Sequence, residues 1–223
     1  MRDKRPQTEK QQLASARLGL QAKMKSERGR SAMLAHTWLS QDPLFLDTET
    51  TGLGNTAQAL EIGLVNSQGE TVYHTRLKPT VSIEPGVAAV HGISEAELAD
   101  APSWPDIAAQ LRQHIGSRPL VIFNMDFDMR ILKQTAAAHS DQADWLNALK
   151  VYCAMRLSAR YYGATNRYGT ISLASAASQA GLSWNGLAHS ALADAVMTAG
   201  VVCDVAEYWR QLQRERRDPG SVA

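Results

Sequence analysis

The sequence is short of the features that would settle its class at a glance. Only two of its 223 residues are cysteines, Cys153 and Cys203, so no disulfide framework can be built and a reduced, cytoplasmic setting is the default expectation. No run reaches the ~18 apolar residues of a membrane span, and Met1-Arg2-Asp3-Lys4-Arg5 leads into no apolar signal core. A soluble chain with no membrane partner is therefore expected. A Cys/His quartet with structural-zinc spacing is missing, as is a G-x-x-x-x-G-K-[ST] loop, which argues against zinc and against a nucleoside triphosphate. Internal repeats and low-complexity tracts are absent as well.

An excess of one charge is also lacking, since 23 Lys/Arg face 22 Asp/Glu. The balance hides a polarity along the chain. Residues 1–30 hold nine Lys/Arg and three Asp/Glu, so the front arm is basic and the body acidic. Such an arm could contact phosphates in a salt-dependent way, or be a solvated helix or frayed tail. A hydrophobic content of 44% suffices for one sizeable core.

Three short segments concentrate the chemistry. Pro43-Leu44-Phe45-Leu46 reads as a buried strand that Thr50-Thr51-Gly52-Leu53-Gly54 breaks into a turn. Between them, Asp47 and Glu49 point to one face of the strand and Thr48 to the other. Both carboxylates thus sit at the carboxyl end of a core strand, where ligands gather in open α/β sheets. A second strand, Leu120-Val121-Ile122-Phe123, passes through Asn124 to Asp128 into a helix carrying Met129, Ile131 and Leu132. Here Asp126 and Asp128 are both candidates, an Asp at a helix start also serves as an N-cap, and spacing does not choose. In the third segment, His189 and Asp194 are five residues apart, too far around a continuous helix to share a face. The natural solution places His189 on the loop after Gly181-Leu182-Ser183-Trp184-Asn185-Gly186, with Ser190 as cap and a helix from Ala191 that carries Asp194.

Four carboxylates and one imidazole suit hydrolysis of a phosphodiester. One hard ion activates water and another, about 3.5–4 Å away, stabilises the leaving oxygen, and both want oxygen ligands. Two Mg²⁺ or Mn²⁺ ions are the expected cofactors. Imidazole, which titrates near neutral pH, can accept the proton of the attacking water.

The periodicity predicts strands near Leu44–Thr48, Ala59–Asn66, Thr71–Leu77, Leu120–Asn124 and Ala148–Tyr152. The second and third form a hairpin around Ser67-Gln68-Gly69-Glu70, giving an antiparallel edge to a mixed sheet. Helices are predicted near Trp104–Ile115, Phe127–Ala138, Ala154–Tyr162, Ser172–Ala180 and Ala191–Leu212. Ahead of them, Leu13, Leu20 and Met24 recur at helical spacing, Gly29 interrupts, and Ser31 to Leu39 form a second helix that packs through Met33, Leu34 and Trp38. Tyr161, Tyr162 and Tyr168, with Arg160 and Arg167 among them, could stack on bases and hold phosphates, or serve packing alone.

The segments DxETTG, N-x-x-F-D (Asn124 to Asp128) and H-x-A-L-x-D (His189 to Asp194) resemble the three motifs of the DEDDh 3′–5′ exonucleases, a group that includes the proofreading subunit of bacterial DNA polymerase III and RNase T. The resemblance covers about residues 40 to 208. Glu61-Ile62-Gly63, Val90-His91-Gly92-Ile93-Ser94 and Ser172-Leu173-Ala174 fall where the family places similar stretches. It implies an α/β, ribonuclease H-like mixed five-stranded sheet flanked by helices. Residues 1–40 would form a basic, helical extension, 41–212 the exonuclease domain and 213–223 a tail.

The resemblance further implies that Asp47, Glu49 and Asp194 ligate one divalent ion, that Asp47 bridges to a second which Asp128 supports, and that His189 is the base. Phe127, the aromatic before the motif's second Asp, favours Asp128 over Asp126. Leu53 is placed to wedge against the terminal base, and Thr50, His91, Asn124, Phe127 and Tyr168 are further candidate substrate contacts. Phe123 stands where the family commonly has histidine, and Ser190 where it commonly has a basic residue. Neither departure removes a ligand. The implied substrate is a nucleic acid 3′ end, single-stranded DNA ahead of RNA or short oligonucleotides, with a DNA polymerase or other replication or repair partner binding through the N-terminal arm as a further expectation. An inactive exonuclease-like scaffold is the alternative of another class, and the filled catalytic positions argue against it.

Overall fold

The computed structural model describes residues 9–184 and 189–218. Five short strands build its sheet: β1 Leu44–Thr50, β2 Ala59–Val65, β3 Thr71–Arg76, β4 Leu120–Ile122 and β5 Val151–Cys153. The order across the sheet is β3-β2-β1-β4-β5. The hairpin strands β2 and β3 and the pair β1 and β2 run antiparallel, whereas β4 lies parallel to β1 and to β5. Asn66 makes the hairpin turn, its Oδ1 accepting from the amides of Gln68 and Glu70 at 3.0 Å each.

Around the sheet lie α1 Glu9–Lys25, α2 Glu27–Leu39, α3 Pro85–His91, α4 Trp104–Ile115, α5 Met125–Ala138, α6 Ala154–Tyr162, α7 Leu173–Gln179 and α8 Ala191–Arg217. Strand alternation divides the core into two layers. Leu44, Leu46, Ile62, Leu64, Leu120 and Ile122 face α4 and α5. Phe45, Val65 and Val121 face the other way, onto α2, α6, α7 and α8. Every residue of β2 is buried, as expected of a strand covered on both faces and paired on both edges. None of the helices among the described residues is long and apolar enough to cross a membrane.

Several elements depart from the sequence expectation. The N-terminal helices separate at Ser26, whose Oγ accepts from the amide of Gly29 at 3.0 Å and donates to the Lys23 carbonyl at 2.6 Å. Gly29 is therefore inside α2 and does not interrupt it. Its role is close approach, since a Cβ there would lie 2.2 Å from the Lys23 carbonyl oxygen. α2 packs through Ala32, Ala35 and Trp38, all buried, while Met33 and Leu34 are exposed; small residues let this helix approach α8 closely. Trp38 also stacks on Tyr152 with ring centroids 4.6 Å apart. The fifth strand begins later than expected because Asp144–Ala148 winds into a 3-10 turn that buries Leu146. α8 continues to Arg217, so residues 213–217 prolong the helix, and residues 219–223 lie outside the described part. α3, with Pro85 at its start, had no periodic signal over its seven residues.

Candidate active site

Asp47 and Glu49 stand on β1 facing α8, opposite Gly63 and Glu61 of β2. Gly63 has no side chain for a steric reason, because a Cβ would come 2.5 Å from the Ala191 carbonyl carbon. The start of α8 can therefore press against β2, and this contact delivers Asp194 from the helix's first turn. Asp47, Glu49 and Asp194 each offer a carboxylate oxygen, and these atoms all lie within 4.8 Å of one another. All three residues are half-buried.

Asp128 arrives from the opposite layer, in the first turns of α5. Thr48 faces away from Asp47 and Glu49, and for that reason it can hold Asp128: its amide and Oγ1 donate to Asp128 Oδ1 at 3.1 and 2.8 Å. Asp128 is buried and outside the close trio. Asp126 is directed elsewhere, paired with Arg156 at 2.5 Å on the exposed side. The geometry thus separates two aspartates that spacing could not.

Like charges in a partly desolvated cleft resist ionisation. Burial and then Asp128, Asp194, Glu49 and Glu61 push the Asp47 carboxyl well above its usual range. Burial, then Asp194, Glu61 and Asp128, push Glu49 up to about 8. Asp128 is raised mainly by burial, against which the Thr48 hydrogen bonds act. Such a donor set suits a multivalent cation, since all-oxygen carboxylate ligands are the kind hard divalent ions accept.

The third segment is held by the expected Ser190 cap and by contacts that no local pattern announces. The Ser190 hydroxyl caps α8, accepting from the Ala193 amide at 3.3 Å. Buried Glu61 accepts from the Ala191 amide at 2.8 Å and is itself bound by His74 Nε2 at 3.0 Å and Arg76 Nε at 3.4 Å. The Trp184 indole N–H donates to Asp194 Oδ1 at 2.9 Å and fixes that carboxylate from outside the helix. His189 is exposed, with φ of 67°, a left-handed conformation uncommon for a non-glycine residue. Asn185 and Gly186 of the expected loop lie outside the described residues.

The chain also resembles known proteins. A family model described as exonuclease, that of RNase T, matches residues 44–202. The chain belongs to the RNase T family of exonucleases. An exonuclease of Escherichia phage 186 is 39% identical over 75% of this chain and 90% of its own length. The DNA polymerase III epsilon subunit of Escherichia coli is 32% identical over 39% of this chain, and the match covers 40% of that subunit. Among solved structures, exonuclease X in complex with 5′-overhanging duplex DNA superposes with a TM-score of 0.56 at 27% identity, covering 74% of this chain and 91% of the other.

The remaining candidate residues of this exonuclease domain divide by exposure. Leu53 is 67% exposed, so it is no core plug. Its turn is held by α5, with Arg130 Nη2 donating to the Leu53 carbonyl at 3.3 Å and Arg130 Nη1 to that of Gly54 at 3.0 Å. The same guanidinium lies 5.2 Å from the ring centroid of Phe127. Thr50 is buried, its hydroxyl donating to the Gly52 carbonyl at 2.8 Å. His91 accepts from the Ile93 amide through Nδ1 at 3.0 Å and donates to the Thr50 carbonyl through Nε2 at 3.2 Å, which ties α3 to the end of β1. Burial holds its pKa below the ordinary imidazole value. Asn124 is exposed, and its carbonyl starts α5 by accepting from the Phe127 amide at 2.9 Å.

The tyrosines part company. Tyr161 is buried under Arg28, whose guanidinium is 4.6 Å from its ring centroid, and Tyr162 donates to Asp204 at 2.6 Å. Both serve packing between α6, α2 and α8. Tyr168 is 72% exposed on a turn, with the Arg167 guanidinium 4.9 Å from its ring centroid.

Sequence reasoning missed Glu61 and Trp184 as parts of the site. The fixing of α8 by Glu61 spans 130 residues, beyond any local pattern. The Trp184 bond spans only ten. An indole close ahead of a candidate ligand was a signal that could have been followed.

Proposed function

We propose that this exonuclease removes nucleotides from DNA 3′ ends by phosphodiester hydrolysis with two Mg²⁺ or Mn²⁺ ions. The observation that carries the proposal is the convergence of Asp47, Glu49 and Asp194, with oxygens within 4.8 Å, beside an Asp128 that Thr48 holds in place. The bound ions would supply an activated water and charge stabilisation of the leaving oxygen. Asp47, Glu49 and Asp194, with Asp128 beside them, would hold the ions. His189 accepts the proton of the attacking water from the loop ahead of α8. Leu53, exposed on the turn after β1, packs against the terminal base, while Thr50, His91, Asn124 and Phe127 shape the cleft and Tyr168 stacks farther along the strand.

The DNA preference rests on likeness to exonuclease X, solved with DNA, and to the epsilon subunit. The latter also makes a DNA polymerase the proposed partner of the N-terminal helices, in a cytoplasmic setting. The catalytic unit is assigned to residues 41–212. Matched DNA and RNA oligonucleotides, labelled at the 5′ or the 3′ end and digested with Mg²⁺, test this reading. A ladder shortening from the 3′ end on DNA is expected. Shortening from the 5′ end would overturn the direction, and faster loss of RNA would overturn the sugar preference.

A further inference from the structure

The two ends of α8 carry opposite charge. Asp194 is in its first turn, and Arg214, Arg216 and Arg217 crowd its last. Beside that last turn lies the end of α1, which adds Lys23 and Lys25. Lys23 and Glu215 pair at 3.1 Å and join the two helices. Between the helices runs a groove of about 830 Å³ with Leu20 and Met24 on its floor and Arg17, Lys25 and Arg216 on its rim.

An ordinary solvated helix face mixes both signs, as α8 itself does one turn earlier, where Glu207 pairs with Arg210 and Arg214. At the α1–α8 end Glu215 pairs with Lys23, and basic residues outnumber the acidic ones. Arg17, Lys25, Arg216 and Arg217 are exposed and have no acidic partner among the described residues. The chain beyond residue 30 is net acidic, so a polyanion approaching the carboxylate cleft meets repulsion unless something else draws it in.

We infer that the α1–α8 end is a second contact for the phosphodiester backbone, remote from the site of cleavage. The choice of polyanion rests on the nuclease reading above. Asp194 and Arg216 are separated by about 33 Å of rigid helix at 1.5 Å per residue. With one phosphate per ~3.4 Å of each strand, that is about ten nucleotides of duplex. A four-residue oligonucleotide reaches the cleft alone, whereas a 30-residue strand engages both ends. Long flexible cations around an open groove suit a phosphate chain of variable sequence, and the contact should show the salt dependence of counterion release.

The test compares the wild type with Arg17→Ala/Lys25→Ala/Arg216→Ala, using 5′-labelled 4-mer and 30-mer single-stranded DNA. Binding is measured in excess chelator at several salt concentrations. For the 30-mer, the triple variant should bind about tenfold more weakly at ~100 mM salt and lower the slope of log K against log salt by about 2, at ~0.7 per lost phosphate contact. Cleavage of the 4-mer with Mg²⁺ should stay unchanged. Arg17→Lys/Arg216→Lys, which keeps the charge, should retain the wild-type slope. An unchanged 30-mer slope in the triple variant would overturn the inference, as would equal losses on the 4-mer and the 30-mer. If neither protein cleaves any oligonucleotide, the nuclease reading fails, yet the length-dependent change in slope still decides whether the basic end binds a polyanion.

Discussion

The start and the end of α8 place charge in opposite ways. At the start, Asp194 is forced against Asp47 and Glu49, partly buried, with oxygens within 4.8 Å. At the end, Arg216 and Arg217 stand in solvent, where water and salt screen their mutual repulsion at little cost. Clustering exposed cations needs nothing special from the fold. Clustering half-buried carboxylates needs a glycine at position 63, a cap from Glu61 and an indole bond from Trp184. Structure that holds like charges together at an energetic cost marks the place where a counter-ion and chemistry are expected.

The largest loss is expected when a carboxylate is removed. Asp47→Ala or Asp194→Ala should lower the single-turnover cleavage rate by several orders of magnitude while circular dichroism stays native, since the loss relieves repulsion but removes a ligand. Near wild-type cleavage by either variant would show that the site is elsewhere. His189→Ala should slow cleavage by about 10²–10⁴-fold, the usual weight of general-base catalysis, with metal affinity nearly unchanged. The pH dependence of the rate should differ between the two proteins, since only the wild type keeps the proton acceptor. A loss of metal affinity along with activity would make His189 a ligand.

Trp184→Phe keeps an aromatic side chain and deletes only the hydrogen bond to Asp194, so a 10–100-fold loss of Mn²⁺ affinity is expected, as for other groups that orient a ligand. Unaltered affinity would show that α8 alone fixes Asp194. The smallest expected effect is on stability. With the Glu49 pKa raised to about 8, the folded, metal-free protein holds a proton that the unfolded chain releases above its ordinary carboxylate range. The resulting stabilisation is full at low pH and is lost as pH rises towards 8. In chelator the Tm of the wild type should fall by about 5–10 °C from pH 5 to 8, at ~2–4 °C per kcal/mol, and by less in Glu49→Gln. Equal slopes for the two proteins would contradict this.

The strand alternation that pairs Asp47 with Glu49, and the cap that starts α8 at Ala191, were legible because each depends on neighbours within a few residues. So was the mixed sheet, with its hairpin edge at Gly69. What local pattern could not supply was distance in space. Asp126 and Asp128 look equivalent until Arg156 takes one and Thr48 the other. Gly29 reads as a helix breaker until the Lys23 carbonyl is seen against it. Tyr161 looks as free to stack on a base as Tyr168, yet Arg28 and Tyr208 enclose it. In each case a residue from another element decides the role.

The carboxylates at the start of α8 are expected to form a divalent-cation site. Calorimetric titration of Mn²⁺ into chelator-stripped protein at pH 7, in two buffers of different ionisation enthalpy, tests it most directly. Binding with net proton release is expected, because Glu49, with its pKa raised to about 8, must give up its proton to become a ligand, and Asp194→Ala should abolish tight binding. Mn²⁺ binding without proton release, or tight binding that survives loss of Asp194, would contradict the account.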